Sequence, residues 1–283
     1  MAVVWQISVA NYPAKSIVCG VILFGKPNPD TKTSSFSNFK YVVKTYFRKT
    51  FAEKDIVLNI NNRNFPVKTN NSGYFYFETK DKIKNIEVKH SNGEIIPVLQ
   101  KYPVIFDYTK SGLYGISDID DTILISHTAS WHKRLSTLFF TPVNQRKAIK
   151  LILESKLDGV FYVSKSESNL FYILSDFIRK NGLPQGLLFL SKYLHFRELL
   201  LSKKGVNYKT ERLVKIVDNM PQSKFVLFGD DTQHDLKVYT SLSEKYPEKI
   251  EKIYIRQTKS KKKQHLDKYF NILDKINIPY NYF

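Results

Sequence analysis

The sequence predicts an α/β protein in which a three-layer parallel sheet, helices on both faces, follows a small β-sandwich-like domain. Two observations predict the sheet. Between residues 111 and 257, short apolar runs alternate with stretches of helical periodicity, the pattern left by strand–helix–strand crossovers. Chemistry-bearing polar residues also recur just beyond the apolar runs, where ligands of open parallel sheets bind. A third observation sets off residues 1–110. There, strand-like runs are separated by Asn, Gly and Ser clusters rather than by helices, which suggests a sandwich.

In the first region Ile17–Phe24 is a strand-like apolar run, and Lys26 to Ser35 is a polar loop with two prolines. Phe36, Phe39, Val43, Phe47 and Phe51 recur at helical spacing and predict one amphipathic helix. Ile56–Ile60 is a strand, followed by a turn over Asn61-Asn62-Arg63-Asn64. Gly73–Phe77 follows the turn signal Asn70-Asn71-Ser72, and Asn92-Gly93 separates the runs Ile86–Val88 and Ile95–Val98. Gly20 to Lys26 has the Gly-x-x-x-x-Gly-Lys spacing of a phosphate-binding loop, but its intervening Val, Ile, Leu and Phe belong in a strand. Pro27 stands where a hydroxyl should ligate a cation, and no helix follows, so the motif is rejected.

The second region, 111–283, supplies strands at Leu113–Ile116, Gly159–Val163, Leu187–Leu190, Phe225–Phe228 and Ile250–Ile255. Helical stretches lie between them at Val143–Ser155, Ser168–Lys180, Tyr208–Asn219 and Asp235–Glu244. The domains are therefore expected at 1–110 and 111–283, with an insertion at about 123–141. That insertion mixes Trp131, Leu138, Phe139 and Phe140 with Lys133 and Arg134; it fits a helix packed on the core.

The formal net charge is +18, with 44 Lys and Arg against 26 Asp and Glu. Both regions share the excess, which attracts phosphate esters, nucleic acid or acidic lipid surfaces, or serves solubility alone. Cys19 is the only cysteine, which excludes an internal disulfide framework. Met1–Gln6 has no basic leader, and no apolar run approaches ~18 residues. The expectation is a soluble, non-exported, cytoplasmic protein, with peripheral contact at a membrane as its one lipid-facing option. The basic run Lys259, Lys261, Lys262 and Lys263 fits either such contact or plain solvation.

Chemistry concentrates at Ser117-Asp118-Ile119-Asp120-Asp121-Thr122. Three carboxylates within four residues, at a strand's C-terminal end, repel one another unless a cation offsets the charge. Oxygen ligands point to magnesium. The strand ending at Val163 delivers Ser164, with Ser166 as an equally usable hydroxyl; Lys209 opens the helix that leads to the fourth strand; that strand, Phe225–Phe228, delivers Gly229, Asp230, Asp231 and, four residues on, Asp235. His195 and His234 lack metal-ligand partners at usable spacing, while His127 and His132 fit exposed loop positions or the entrance to the site.

This ordered set resembles the haloacid dehalogenase-like phosphohydrolases, whose Rossmann-like sheet carries an Asp-x-Asp-x-Thr motif, a Ser or Thr, a Lys and a Gly-Asp with a further Asp. Within them it resembles the actin-patch-associated phosphatidate phosphatase catalytic-domain family and its bacterial-type relatives. The marks are Ser117 to Ile123, Phe161-Tyr162-Val163-Ser164-Lys165-Ser166, Gly182-Leu183-Pro184-Gln185-Gly186, Lys224 to Asp230, and Ile253-Tyr254-Ile255-Arg256. One departure is Glu167-Ser168-Asn169, where that family usually carries Pro and Trp. The resemblance implies a magnesium-dependent phosphatase that acts through an aspartyl-phosphate, with a phosphatidate-type lipid phosphate as substrate and the insertion at about 123–141 as a small cap. Asp118 would be the nucleophile, Asp120 the general acid and base, and Ser164 and Lys209 would complete the catalytic set. Thr122, Ser166 and Arg256 would meet the substrate. Asp118, Asp120, Asp230 and Asp231 would hold Mg2+, with Asp235 in support. Two alternatives remain at this stage: a phosphatase for nucleotide or nucleic-acid phosphate ends, and a non-catalytic protein that binds phosphorylated or anionic surfaces.

Overall fold

The computed structural model describes residues 1–25, 44–119, 122–123, 147–191, 207–231, 235–258 and 266–283. They form two compact units. The first comprises Met1–Lys110, Ser166–Ile178 and Leu190–Lys203; the second comprises Ser111–Lys165, Arg179–Phe189 and Lys204–Phe283.

The first unit holds two small sheets. One has the order β5-β2-β1-β7, formed by β1 (Ala2–Asn11), β2 (Ser16–Phe24), β5 (Tyr74–Thr79) and β7 (Ile105–Asp107). The β1–β2 and β2–β5 pairs are antiparallel, whereas β7 runs parallel to β1. The other is the antiparallel sheet β4-β3-β6, formed by β3 (Asp55–Ile60), β4 (Arg63–Lys68) and β6 (Ile86–His90). Alternation explains the core. Ile56, Leu58 and Ile60 of β3 turn inward, and with Val4, Ile7, Val9, Ile22, Phe75 and Val88 they form one buried apolar cluster.

Three expectations for this unit are corrected. The strand β1 was not foreseen, because Gln6 and Ser8 interrupt its apolar run, yet all ten residues are buried. The turn after β3 takes only Asn61 and Asn62, both at positive φ (48° and 65°), the two-residue hairpin that asparagine permits; Arg63 and Asn64 already belong to β4. The helix expected through Phe51 stops short. Lys44 and Thr45 are helical, but Thr50 forms a β-bridge with Leu23 and Phe51 lies in the core. Phe36, Phe39 and Val43 lie outside the described residues. So does Lys26 of the rejected loop motif, whose Gly20–Phe24 are strand β2.

The second unit is built on a six-stranded sheet of order β10-β9-β8-β11-β12-β13. Its strands are β8 (Leu113–Ser117), β9 (Gly159–Glu167), β10 (Leu187–Ser191), β11 (Lys224–Asp230), β12 (Ile250–Arg256) and β13 (Tyr280–Tyr282). The pairings β9–β8, β8–β11, β11–β12 and β12–β13 are parallel. Parallel pairing buries both faces, so these strands read as continuous apolar runs: Phe225 to Phe228 and Val160 to Val163 are all buried. The described helices of the chain are α1 (Lys147–Glu154), α2 (Phe171–Lys180, after a 3₁₀ turn at Ser168–Leu170, both within the first unit as far as Ile178), α3 (Asn207–Asn219), α4 (Asp235–Lys245) and α5 (Asp267–Lys275). The five expected strands and four expected helices appear in order, and a mixed α/β architecture with a parallel sheet is the result. The sixth strand, β13, was not expected. Gly186 is fixed by close packing, since a Cβ there would lie 1.8 Å from the Val160 carbonyl oxygen. Among the described residues no helix is long and apolar enough to cross a membrane. The insertion expected at about 123–141 lies outside them except for Ile123.

Candidate active site

The central strands β8 and β11 set the site. Their register pairs Ser117 with Phe228, so the residues that follow both strands emerge together at the sheet's C-terminal edge. The Asp118 N–H donates to the Phe228 carbonyl (2.9 Å), which continues the ladder one residue beyond β8. Asp118 is 1% exposed, and Asp230, the last residue of β11, is fully buried.

Helix α4 begins at Asp235, and its first turn packs on the end of β11. That packing explains the glycine of Gly229-Asp230: a Cβ on Gly229 would fall 2.7 Å from the Tyr239 ring and 2.8 Å from Asp235 Cβ. Asp235 accepts a bond from the Asp230 N–H at 3.4 Å. Lys209, near the start of α3, is 2% exposed and donates from Nζ to Asp118 Oδ1 (2.8 Å) and to Asp235 Oδ1. Burial opposes its charge, but the two carboxylates outweigh that and hold its pKa well above the ordinary lysine value. Thr122 Oγ1 lies 3.4 Å from Asp118 Oδ2 and 3.5 Å from Asp230 Oδ2.

Asp118, Asp230 and Asp235 each bring one carboxylate oxygen within 4.8 Å of the others. Three carboxylates against one ammonium leave a formal charge of 3 − 1 = 2 negative units in a buried space. Such a charge is costly to bury, and an oxygen-only donor set of this sign suits a hard divalent cation. The residues present therefore fit a hard divalent cation, magnesium among them.

Of the residues expected from sequence, the structure brings together Asp118, Lys209, Thr122, Asp230 and Asp235. Asp120 lies outside the described residues, as do His127, His132, His195, His234 and the lysines at 259 and 261–263. Ser164 is buried in β9. Because Ser117 pairs with Tyr162, Ser164 sits at the same sheet edge as Asp118, two residues past that pair. Ser166 is also buried, and belongs to the first unit. Arg256 ends β12, paired in register with Asp230.

Asp231, expected as a cation ligand, has another set of partners. Its carboxylate accepts from the Thr258 N–H (3.2 Å), the Thr258 hydroxyl and the Tyr282 hydroxyl (2.9 Å). Burial and the Asp231 carboxylate together push the Tyr282 phenol well above the ordinary tyrosine value.

Two contributors were missed from sequence. Tyr239, fully buried, donates its hydroxyl to the Phe228 carbonyl (2.8 Å), and its ring lies 5.8 Å from Lys209 Nζ. Burial drives its pKa well up, against the pull of Lys209. Its i, i+4 spacing from Asp235 was the available signal. Tyr282 offered none, being 51 residues from Asp231.

Comparison with known proteins places the chain in a family. A profile described as "Phosphatidate phosphatase APP1, catalytic domain" matches residues 113–257, which is 145 of the 283 residues. Phosphatidate phosphatase APP1 of Saccharomyces cerevisiae is 30% identical over 179 residues, 58% of this chain and 29% of that protein. Uncharacterized protein C29B5.04c of Schizosaccharomyces pombe is 26% identical over 239 residues, 77% of this chain and 38% of that protein. The chain thus spans well under half the length of either relative. Among solved structures, a carbohydrate acetylesterase from Xanthomonas citri covers 98% of this chain and 69% of its own at 7% identity, but its TM-score of 0.30 carries no argument. The matched stretch includes Asp118, Thr122, Ser164, Lys209, Asp230, Asp231, Asp235 and Arg256 but not Thr258 or Tyr282, and the chain belongs to the family of the phosphatidate phosphatase APP1 catalytic domain.

Proposed function

We propose that this chain is a magnesium-dependent phosphatase of the haloacid dehalogenase-like type, which hydrolyses a phosphate monoester, a phosphatidate-type lipid phosphate, through an aspartyl-phosphate on Asp118. The observation that carries the reading is the buried cluster in which Lys209 holds Asp118 while Asp230 and Asp235 lie within 4.8 Å. The family of the catalytic domain and the name of the yeast relative supply the substrate class.

In this reading Asp118, fixed by the Lys209 ammonium on Oδ1, presents its carboxylate to phosphorus and displaces the ester oxygen in line. Asp120 gives the leaving oxygen its proton, then takes one from the water that cleaves the acyl phosphate. Ser164 donates to a phosphoryl oxygen, and Lys209 offsets negative charge as it gathers. Thr122 and Arg256 contact the substrate. Asp118, Asp230 and Asp235, with Asp120, hold the cation; Asp235 also keeps Lys209 in place. When bound, magnesium polarises a phosphoryl oxygen and neutralises the carboxylate cluster.

The test is phosphate release from a panel of lipid phosphates, nucleotides and oligonucleotide 5′ ends, with and without magnesium, beside Asp118→Asn. Release from lipid phosphates that needs magnesium and vanishes in Asp118→Asn is expected. Release confined to nucleotides or oligonucleotide ends would move the substrate class but keep the chemistry. Release that survives Asp118→Asn would end the mechanism.

A further inference from the structure

The C-terminal segment beyond the family-matched stretch reaches back to the site. Strand β13 pairs with β12 through Tyr280, Asn281 and Tyr282. Two further bonds extend the pairing: Gln257 N–H to the Phe283 carbonyl (2.7 Å) and Phe283 N–H to the Ile255 carbonyl (3.1 Å). Phe270 of α5 packs its ring against Tyr280 and Tyr282, at centroid distances of 4.9 and 5.3 Å. The Tyr282 ring is therefore held from both its strand and its helix, with its hydroxyl delivered to Asp231.

Asp231 is 5% exposed and follows Asp230 directly. Its own N–H donates to the Arg256 carbonyl at 3.2 Å. Both its carboxylate oxygens are taken: Oδ1 by Thr258 and Oδ2 by Tyr282. A carboxylate that accepts three donors on its two oxygens is oriented by them, and Asp231 stands outside the trio that meets within 4.8 Å.

We propose that Asp231 is a positioning residue rather than a cation ligand, and that strand β13 acts through it, Tyr282 clasping Asp231 so that the end of β11 holds Asp230 in the cation cluster. This rests on the magnesium reading above. The clasp costs the cation site no ligand, because Asp118, Asp230 and Asp235 already supply the donor set. Groups that orient a ligand-bearing segment change metal affinity without touching the metal.

The test uses the full chain and magnesium alone, read as the rise in melting temperature along a magnesium titration. Tyr282→Phe keeps the ring on Phe270 and removes only the hydroxyl. It and Asp231→Asn should each raise the magnesium midpoint about tenfold. The double variant should do no worse than either single one, while Asp230→Asn should abolish the response. Asp231→Asn abolishing the response while Tyr282→Phe leaves it unchanged would make Asp231 a ligand and overturn the proposal. Unchanged midpoints in both singles, or additive losses in the double, would also overturn it. A parent chain that shows no magnesium response removes the cation reading instead. The clasp is then judged on melting temperatures without metal: equal and non-additive losses support it, additive ones reject it.

Discussion

Lys209 is a buried ammonium with two carboxylates on it, and this sets what its loss does. Buried ions repay desolvation only through close partners, and removing one partner of such a group costs about 3–5 kcal/mol. Lys209→Met keeps the aliphatic length and removes the charge, so Asp118 and Asp235 would face each other without it. The expected outcome is a melting temperature well below that of the parent in the absence of metal, partly restored by magnesium because a cation binding the native state stabilises it. Phosphate release should fall about 100-fold or more. A variant that melts like its parent would show that the ammonium balances nothing. Tyr239 acts more gently. The Phe228 carbonyl accepts both the Asp118 N–H and the Tyr239 hydroxyl, so the phenol ties helix α4 to the strand junction that carries Asp118. In Tyr239→Phe the carbonyl keeps its backbone partner, and the stability loss should stay near 0.5–1.5 kcal/mol. On the proposed mechanism turnover should drop several-fold with KM unchanged, because Asp118 loosens while the substrate contacts remain; a rise in KM alone would contradict this.

Among the elements, the join of β11 to α4 is the tightest. At Gly229 the nearest atoms are the Tyr239 ring and Asp235, so an added methyl pushes on the helix that carries the Lys209 partner. Gly229→Ala should cost about 1–3 kcal/mol by overpacking and weaken the magnesium-induced rise in melting temperature. Gly186→Ala meets the Val160 backbone at 1.8 Å and should unfold the chain more severely without a specific effect on magnesium; the contrast separates packing from site geometry. The same elements show what was legible beforehand. Strands β8 to β12 were readable because parallel pairing buries both faces and leaves unbroken apolar runs such as Phe225 to Phe228. Their polar ends were readable because Asp118, Ser164 and Asp230 follow those runs at once. Strand β13 was not, since three residues, Tyr280-Asn281-Tyr282, carry no period and owe their place to pairing with β12. Strand β1 hid because polar Gln6 and Ser8 lie within it, buried by its neighbours on both sides. Asp231 is expected with the cation because its neighbour is Asp230; the donors that bond it lie 27 and 51 residues away and left no mark in the local sequence.

At the scale of the whole molecule, the first unit is not continuous in sequence: it takes Ser166–Ile178 from the middle of the chain. That stretch is bonded to residues 1–110 by several contacts. The Trp5 indole N–H donates to the Ser168 carbonyl (3.1 Å), and the Trp5 ring meets Tyr172 edge-on at 4.9 Å. Tyr102 packs on Phe171, the Tyr46 hydroxyl reaches Glu167, and Asn169 reaches Thr45. Trp5, Tyr172 and Phe171 are all buried. A cut between Lys110 and Ser111 therefore strips partners from the segment that directly follows Ser164 and Lys165. Losing one large aromatic from a core costs about 3–5 kcal/mol, against a total stability of about 5–15 kcal/mol for a typical domain. Removing Trp5, Tyr102, Tyr46 and Thr45 together exceeds what such a margin tolerates. Residues 111–283 expressed alone should bind a hydrophobic dye and melt without a cooperative transition, whereas Trp5→Phe in the full chain, which keeps most of the ring and loses the N–H, should melt cooperatively at a lower temperature. A fragment 111–283 that melts sharply and leaves the dye unbound would show that the N-terminal strands are dispensable to the segment following Ser164.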